Sequence, residues 1–108
     1  MGTIYYGASG SPIHIEDRAL AHVKVVMATK LRRGESFTLS WRHSEDEPGG
    51  RSTVWIHPSI PLRFVFEGAE PQELNRELIE ALASSVNSSG GIHLSSEELD
   101  QVLVRVLT

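Results

Sequence analysis

The chain has 108 residues, 40% of them hydrophobic and 22% charged, with a net charge of −4. That is one domain's worth of sequence, enough to bury roughly two thirds of the surface its unfolded form exposes. It contains no cysteine, which excludes disulfides, cysteine-zinc sites and thiol catalysis, and no apolar run approaches the roughly 20 residues that span a bilayer.

Residues 3–6 read as a short β-rich strand, the Gly-Ala-Ser-Gly-Ser run 7–11 as a turn, and 12–16 as a second strand with Ile13 and Ile15 on one side. The glycine-rich run is no P-loop: it lacks the Gly-Lys-Ser/Thr ending and precedes a strand rather than a helix. Asp17 suits an N-cap or first turn, and Glu16 also favours a helix start. Leu20, Val23, Met27 and Leu31 then form one apolar stripe at helical spacing. Arg18, His22, Thr29, Arg32 and Arg33 project on the other side, and Gly34 is the stop signal.

Residues 36–43 alternate, with Phe37, Leu39 and Trp41 on one face and Ser36, Thr38, Ser40 and Arg42 on the other. After an acidic, Pro-Gly-rich loop over 44–50, a strand over 51–57 sets Val54 and Ile56 against Thr53, Trp55 and His57. Pro58 and Pro61 bracket a stiff turn before a third strand over 62–67, and the three strands are expected to form a meander. Pro71 fits the first turn of a second helix over 71–86, with Leu74, Leu78, Ile79, Leu82 and Val86 inward and Glu73, Glu77 and Glu80 outward. The serine-rich run 84–91 reads as a break or linker. Residues 91–94 are compatible with a short strand. The capping-box spacing Ser95-Ser-Glu-Glu98 before Leu99, Val102, Leu103 and Val106 favours a C-terminal helix, though 102–106 is also β-prone.

The expected architecture is α+β, ordered ββαβββα, with an antiparallel sheet and two main helices packed on one face, plus a C-terminal segment. One domain spans 1–91, and 92–108 docks on the core or on a partner. The first seven residues lack a basic region followed by an apolar one, so no signal peptide is expected and the cytoplasm is the expected compartment.

Three blocks belong together: Glu-Asp-Arg-Ala-Leu-Ala-His at 16–22, Lys-Leu-Arg-Arg-Gly-Glu-Ser-Phe at 30–37 and Trp-Ile-His-Pro-Ser-Ile-Pro-Leu at 55–62. With the opening Met-Gly-Thr-Ile-Tyr-Tyr-Gly, they resemble a small uncharacterised family of actinobacterial proteins over roughly the first ninety residues. Members of that family often carry the label ATP-dependent DNA ligase, which implies at most an association with DNA metabolism. A ligase needs a lysine nucleophile in a Lys-x-Asp-Gly setting. Here Lys24 precedes Val-Val-Met and Lys30 precedes Leu-Arg-Arg, and 108 residues are too few for a nucleotidyltransferase core with a DNA clamp.

The five histidines, His14, His22, His43, His57 and His93, have no metal-ligand spacing. No Gly-x-Ser-x-Gly elbow exists, and Glu97-Glu98 reads as a helix start. No catalytic, cofactor or metal residue is therefore assigned, and the chain is read as a non-enzyme.

Two surfaces remain. Strand alternation is expected to turn Tyr5, His14, Arg42, Trp55, His57 and Arg63 outward together, an interaction surface unless a loop or the C-terminal segment covers Trp55. Arg18, His22, Arg32 and Arg33 on the first helix are candidate phosphate contacts. Residues 1–66 carry eight Lys/Arg and six Asp/Glu, and 67–108 carry two and eight, so the parts are +2 and −6. Such asymmetry suits either self-association or a nucleic-acid face. The preferred expectation is a protein-binding or self-associating module; the alternative is an accessory nucleic-acid-binding module using Arg18, Arg32, Arg33, Trp55 and Arg63. No cofactor and no membrane partner are expected.

Overall fold

In the computed structural model, which describes residues 2–8, 10–42 and 49–94, the chain runs β1 (Gly2–Tyr6), β2 (Ser11–Ile15), α1 (Asp17–Arg32), β3 (Phe37–Arg42), β4 (Arg51–Ile56), β5 (Leu62–Val65), α2 (Arg76–Ser89) and β6 (Gly91–His93). The α+β class is as the pattern predicts. The expected C-terminal helix over 95–108 lies outside the described residues.

β1 and β2 form the expected antiparallel hairpin, with Ile4 opposite Ile13 on the buried face. The chain enters α1 through Glu16, whose carboxylate accepts the backbone N–H groups of Arg18 and Ala19. Glu16 is thus the N-cap. Asp17, relieved of that task, accepts the N–H groups of Glu67 and Gly68 and ties the start of α1 to the end of β5. The α1 stripe lands on the core: Leu20, Val23 and Met27 are fully covered and Leu31 packs at its edge.

The single sheet divides into two three-stranded sheets, ordered β2-β1-β5 and β4-β3-β6. β3 and β4 pair antiparallel as expected, but β5 does not extend that hairpin into a meander. It crosses to the other sheet and pairs antiparallel with β1, setting Ile4 beside Phe64 and Tyr6 beside Leu62. The proline-bracketed connection is the pivot. The Ile60 N–H returns to the His57 carbonyl at 3.0 Å, and Pro61 offers its carbonyl to the Gly7 N–H at 3.0 Å. That turn redirects the chain and lets the apolar sides of β5 share a face with those of β1.

α2 begins at Arg76, five residues later than Pro71, because the Asn75 side chain caps it by accepting the Leu78 N–H. Leu74 falls before the helix and is 50% exposed, so it is not part of the apolar side. At the other end, the serine-rich run is helix rather than linker. Leu78, Leu82 and Val86 continue the buried stripe, and the Ser88 and Ser89 hydroxyls donate to the Ser85 carbonyl. The helix stops at Gly90, in the left-handed conformation at φ +79°, which favours glycine.

β6 then lies parallel to β3, which requires the long crossover that β4, β5 and α2 provide. Gly91 sits against the Thr38 side chain and carbonyl, where a Cβ would have no room. One core cluster joins both sheets and both helices through Ile4, Leu20, Leu39, Ile56, Leu78 and Ile92. Ile92 and Leu94 are buried in it, so the core extends at least to Leu94.

Candidate functional site

The six residues expected on one outer surface separate into two groups, because the sheet they were to share is two sheets. Tyr5, His14 and Arg63 lie on the outer face of β2-β1-β5. There the Arg63 guanidinium stands 5.8 Å from the Tyr5 ring centroid, and His14 Nδ1 is 3.2 Å from Thr3 Oγ1. Arg42 and Trp55 lie on the outer face of β4-β3-β6. His57 follows β4 in the turn, where its Nδ1 accepts the Ser59 backbone N–H.

The second sheet's outer face is the more distinctive. Register places Thr38 beside Trp55, Ser40 beside Thr53 and Arg42 beside Arg51, with His93 of β6 next to Ser40. Trp55 is 58% exposed; the C-terminal segment that could have covered it lies outside the described residues. Arg42, Arg51, Thr53 and His93 are exposed around it. The sequence named Arg42 and Trp55 but missed Arg51 and His93. The alternation of 51–57 was the signal for Arg51; His93 could be placed only once β6 was paired.

The strand edges follow from hydrogen-bond polarity. The Thr38 N–H reaches the Gly90 carbonyl at 3.4 Å, and the Ser40 carbonyl accepts the Leu94 N–H at 2.9 Å. Thr38 and Ser40 therefore face β6, and Phe37, Leu39 and Trp41 bond to β4, since backbone groups alternate sides along a strand. Their β4 partners are Ile56, Val54 and Ser52. The backbone groups of Arg51, Thr53 and Trp55 consequently point away from the sheet. At one end of that edge, the Tyr6 hydroxyl donates to the Trp55 carbonyl. Burial raises the Tyr6 hydroxyl above its usual pKa and keeps it a donor.

The second candidate surface is not assembled. His22 is fully buried, not a phosphate contact. Its Nε2 accepts the Asn75 N–H at 2.9 Å, so Nδ1 carries the proton and donates to the Arg18 carbonyl at 2.7 Å. The ring pins the N-terminus of α2 to α1. Arg18 is half-buried, with Nε covered and lacking a hydrogen-bond partner. Arg32 and Arg33 are exposed at the far end of α1; Arg18 and Arg32, fourteen residues apart, are separated by about 21 Å of helix.

A shallow groove of about 370 Å³, which no local pattern announces, lies between α1 and the segment after β5. Its apolar wall includes Val25, Phe66 and Leu74, and Lys24 and Glu70 flank it. The Lys24 ammonium sits 5.5 Å from the Phe66 ring centroid. Among the described residues, no three His, Asp or Glu side chains are grouped to hold a metal ion, and no helix is long and apolar enough to cross a membrane.

These features define a small two-sheet α+β domain with an aromatic and basic outer face on one sheet. The chain belongs to the family of the domain of unknown function DUF7882, whose pattern matches residues 1–97. No curated protein and no solved structure matches it.

Proposed function

We propose that this protein is a non-enzymatic interaction module that binds a protein partner or a second copy of itself through the outer face of β4-β3-β6. The observation that carries the reading is Trp55, 58% exposed on a face flanked by Arg42 and Arg51. A large aromatic held on a rigid strand is a costly surface choice without a contact to make, and Trp and Arg are the preferred anchors of protein interfaces. The face has hydroxyls at Thr38, Ser40 and Thr53 to complete a polar rim.

The test is retention of host proteins, and self-association, by the full chain and by Trp55→Ala. A defined partner or an oligomer that the intact chain holds and the substituted chain loses, at unchanged circular dichroism, supports the reading. Identical behaviour of both chains sinks it.

A second reading is an accessory nucleic-acid-binding module, the role to which the ligase label of similar proteins loosely points. Its support is the Arg42–Arg51 cross-strand pair, because like charges set opposite each other are destabilising and favour an anion. Glu45, Asp46 and Glu47 lie between those arginines in sequence and offset their charge. Binding of single-stranded DNA or RNA that weakens steeply with salt would carry this reading; no shift at low salt removes it.

A further inference from the structure

We infer that the partner is a second copy of this chain, joined by antiparallel pairing of β4 with β4 across a two-fold axis at Thr53. The inference rests on the interaction reading above and names its occupant.

Of the four outer strands of the two sheets, three are poor templates for pairing. β2 contains Pro12, which has no N–H to offer; β5 has four residues and β6 three. Short strands and edge prolines are common defences against unwanted pairing. β4 has six residues, no proline and no lysine. Its outward backbone groups belong to Arg51, Thr53 and Trp55, and among the described residues only the Tyr6 hydroxyl meets any of them. The Trp55 carbonyl keeps a second lone pair, so the usable edge runs from Arg51 to Trp55.

The register follows from two requirements. A two-fold pairing sets residues whose numbers have a constant sum opposite each other, and opposed residues share a face. Keeping both cores on one side requires that sum to be even. Centring on Thr53 uses the whole edge: Thr53 exchanges two hydrogen bonds with its own copy, and Arg51 exchanges two with Trp55 of the second copy. On the outer face, the same register sets the Arg51 guanidinium beside the second copy's indole, and the reverse. That is a cation–π pair made twice, and it gives the exposed Trp55 and the exposed Arg51 a common use. The product is one continuous six-stranded sheet.

Thr53→Pro is the selective test on the full chain. The Thr53 N–H points away from β3, so proline removes the central intermolecular donors without breaking a backbone bond of the hairpin; among the described residues, the one intramolecular bond it removes is the exposed side-chain contact of Thr53 Oγ1 with Ser40 Oγ at 2.8 Å. The intact chain is expected to dimerise reversibly in sedimentation equilibrium, with Thr53 amide exchange slowing as concentration rises. Thr53→Pro is expected to weaken dimerisation by at least about tenfold, at unchanged circular dichroism. Arg51→Glu, which keeps every backbone donor, is expected to weaken it less. A dimer that Thr53→Pro leaves intact overturns the proposal. So does a Thr53 amide protected equally at all concentrations, which would mean that the chain's own residues occupy the edge. A monomer throughout overturns it too. If that monomer still holds another protein through Trp55, the interaction reading survives the failure of this one; if it holds none, both fail.

Discussion

His22 shows how far one side chain can depart from the face its spacing suggests. On a helical projection it falls beside Arg18 and away from the Leu20–Met27 stripe, the usual place for a solvated residue. In the folded chain the first half of α1 is covered on more than one side, with Ala19, Leu20, Ala21, His22 and Val23 all buried. The covering group is the Asn75 backbone, 53 residues away, and nothing in the local pattern announces it. The ring's two nitrogens are both used, one as donor and one as acceptor. His22→Leu keeps most of the volume and leaves the Asn75 N–H without its acceptor. It should cost about 1–3 kcal/mol, the usual penalty for orphaning a buried donor. Arg32→Ala, at an exposed position, should stay within about 0.5 kcal/mol. Urea unfolding of the two variants measures both. Equal, small losses would mean that His22 does not join the helices.

Among the elements, α1 is the one whose ends are most dependent on distant chain. Glu16 caps it locally, and Asp17 holds the backbone after β5. The Gly68 N–H, chiefly, and the Glu67 N–H hold the Asp17 carboxyl below its ordinary pKa, against an opposing push from desolvation. A lowered carboxylate pKa stabilises the fold at every pH above the unfolded value, about 3.9. That contribution is lost as pH falls through the lower folded value. Asp17→Asn removes the charge at all pH values. The urea midpoints of the two chains should therefore differ most near neutral pH and converge in acid. Parallel pH profiles would show that the Asp17 contact adds no pH-dependent stability. The sequence made the existence of α1 plain, through its stripe, acidic start and Gly34 stop. It also made both ends of α2 look wrong by several residues. Pro71 resembled a start that Asn75 in fact provides, and a serine run resembled a linker although Val86 within it is buried.

For the whole molecule, the difference between expectation and structure lies in pairing rather than in faces. Alternation correctly turned Phe37, Leu39 and Ile56 inward and Trp55 outward, because face depends only on local period. Which strand lies beside which depends on contacts between distant residues, such as Tyr6 with Leu62, and the period is the same for either partner. Sequence therefore placed Trp55 and Arg42 on a shared surface but wrongly added Tyr5, His14 and Arg63 to it. The two sheets nevertheless share one core, since Ile4 of the first and Leu39 of the second belong to the same buried cluster with Leu20 and Leu78 between them. Neither sheet can expose its inner face without opening the other's, because both line the same buried cluster. Unfolding should accordingly be a single cooperative transition. The amides of Ile4 and Leu39 lie in the middle strands of the two sheets. Both should exchange only through global opening, with equal free energies that fall together in urea. Fluorescence of Trp41 and Trp55 reports the second sheet alone, and its midpoint should coincide with that of far-ultraviolet circular dichroism, which reports all elements. Earlier exchange at Ile4, or a separate dichroism phase, would mean that the first sheet opens by itself and that the shared core does not bind the two sheets into one unit.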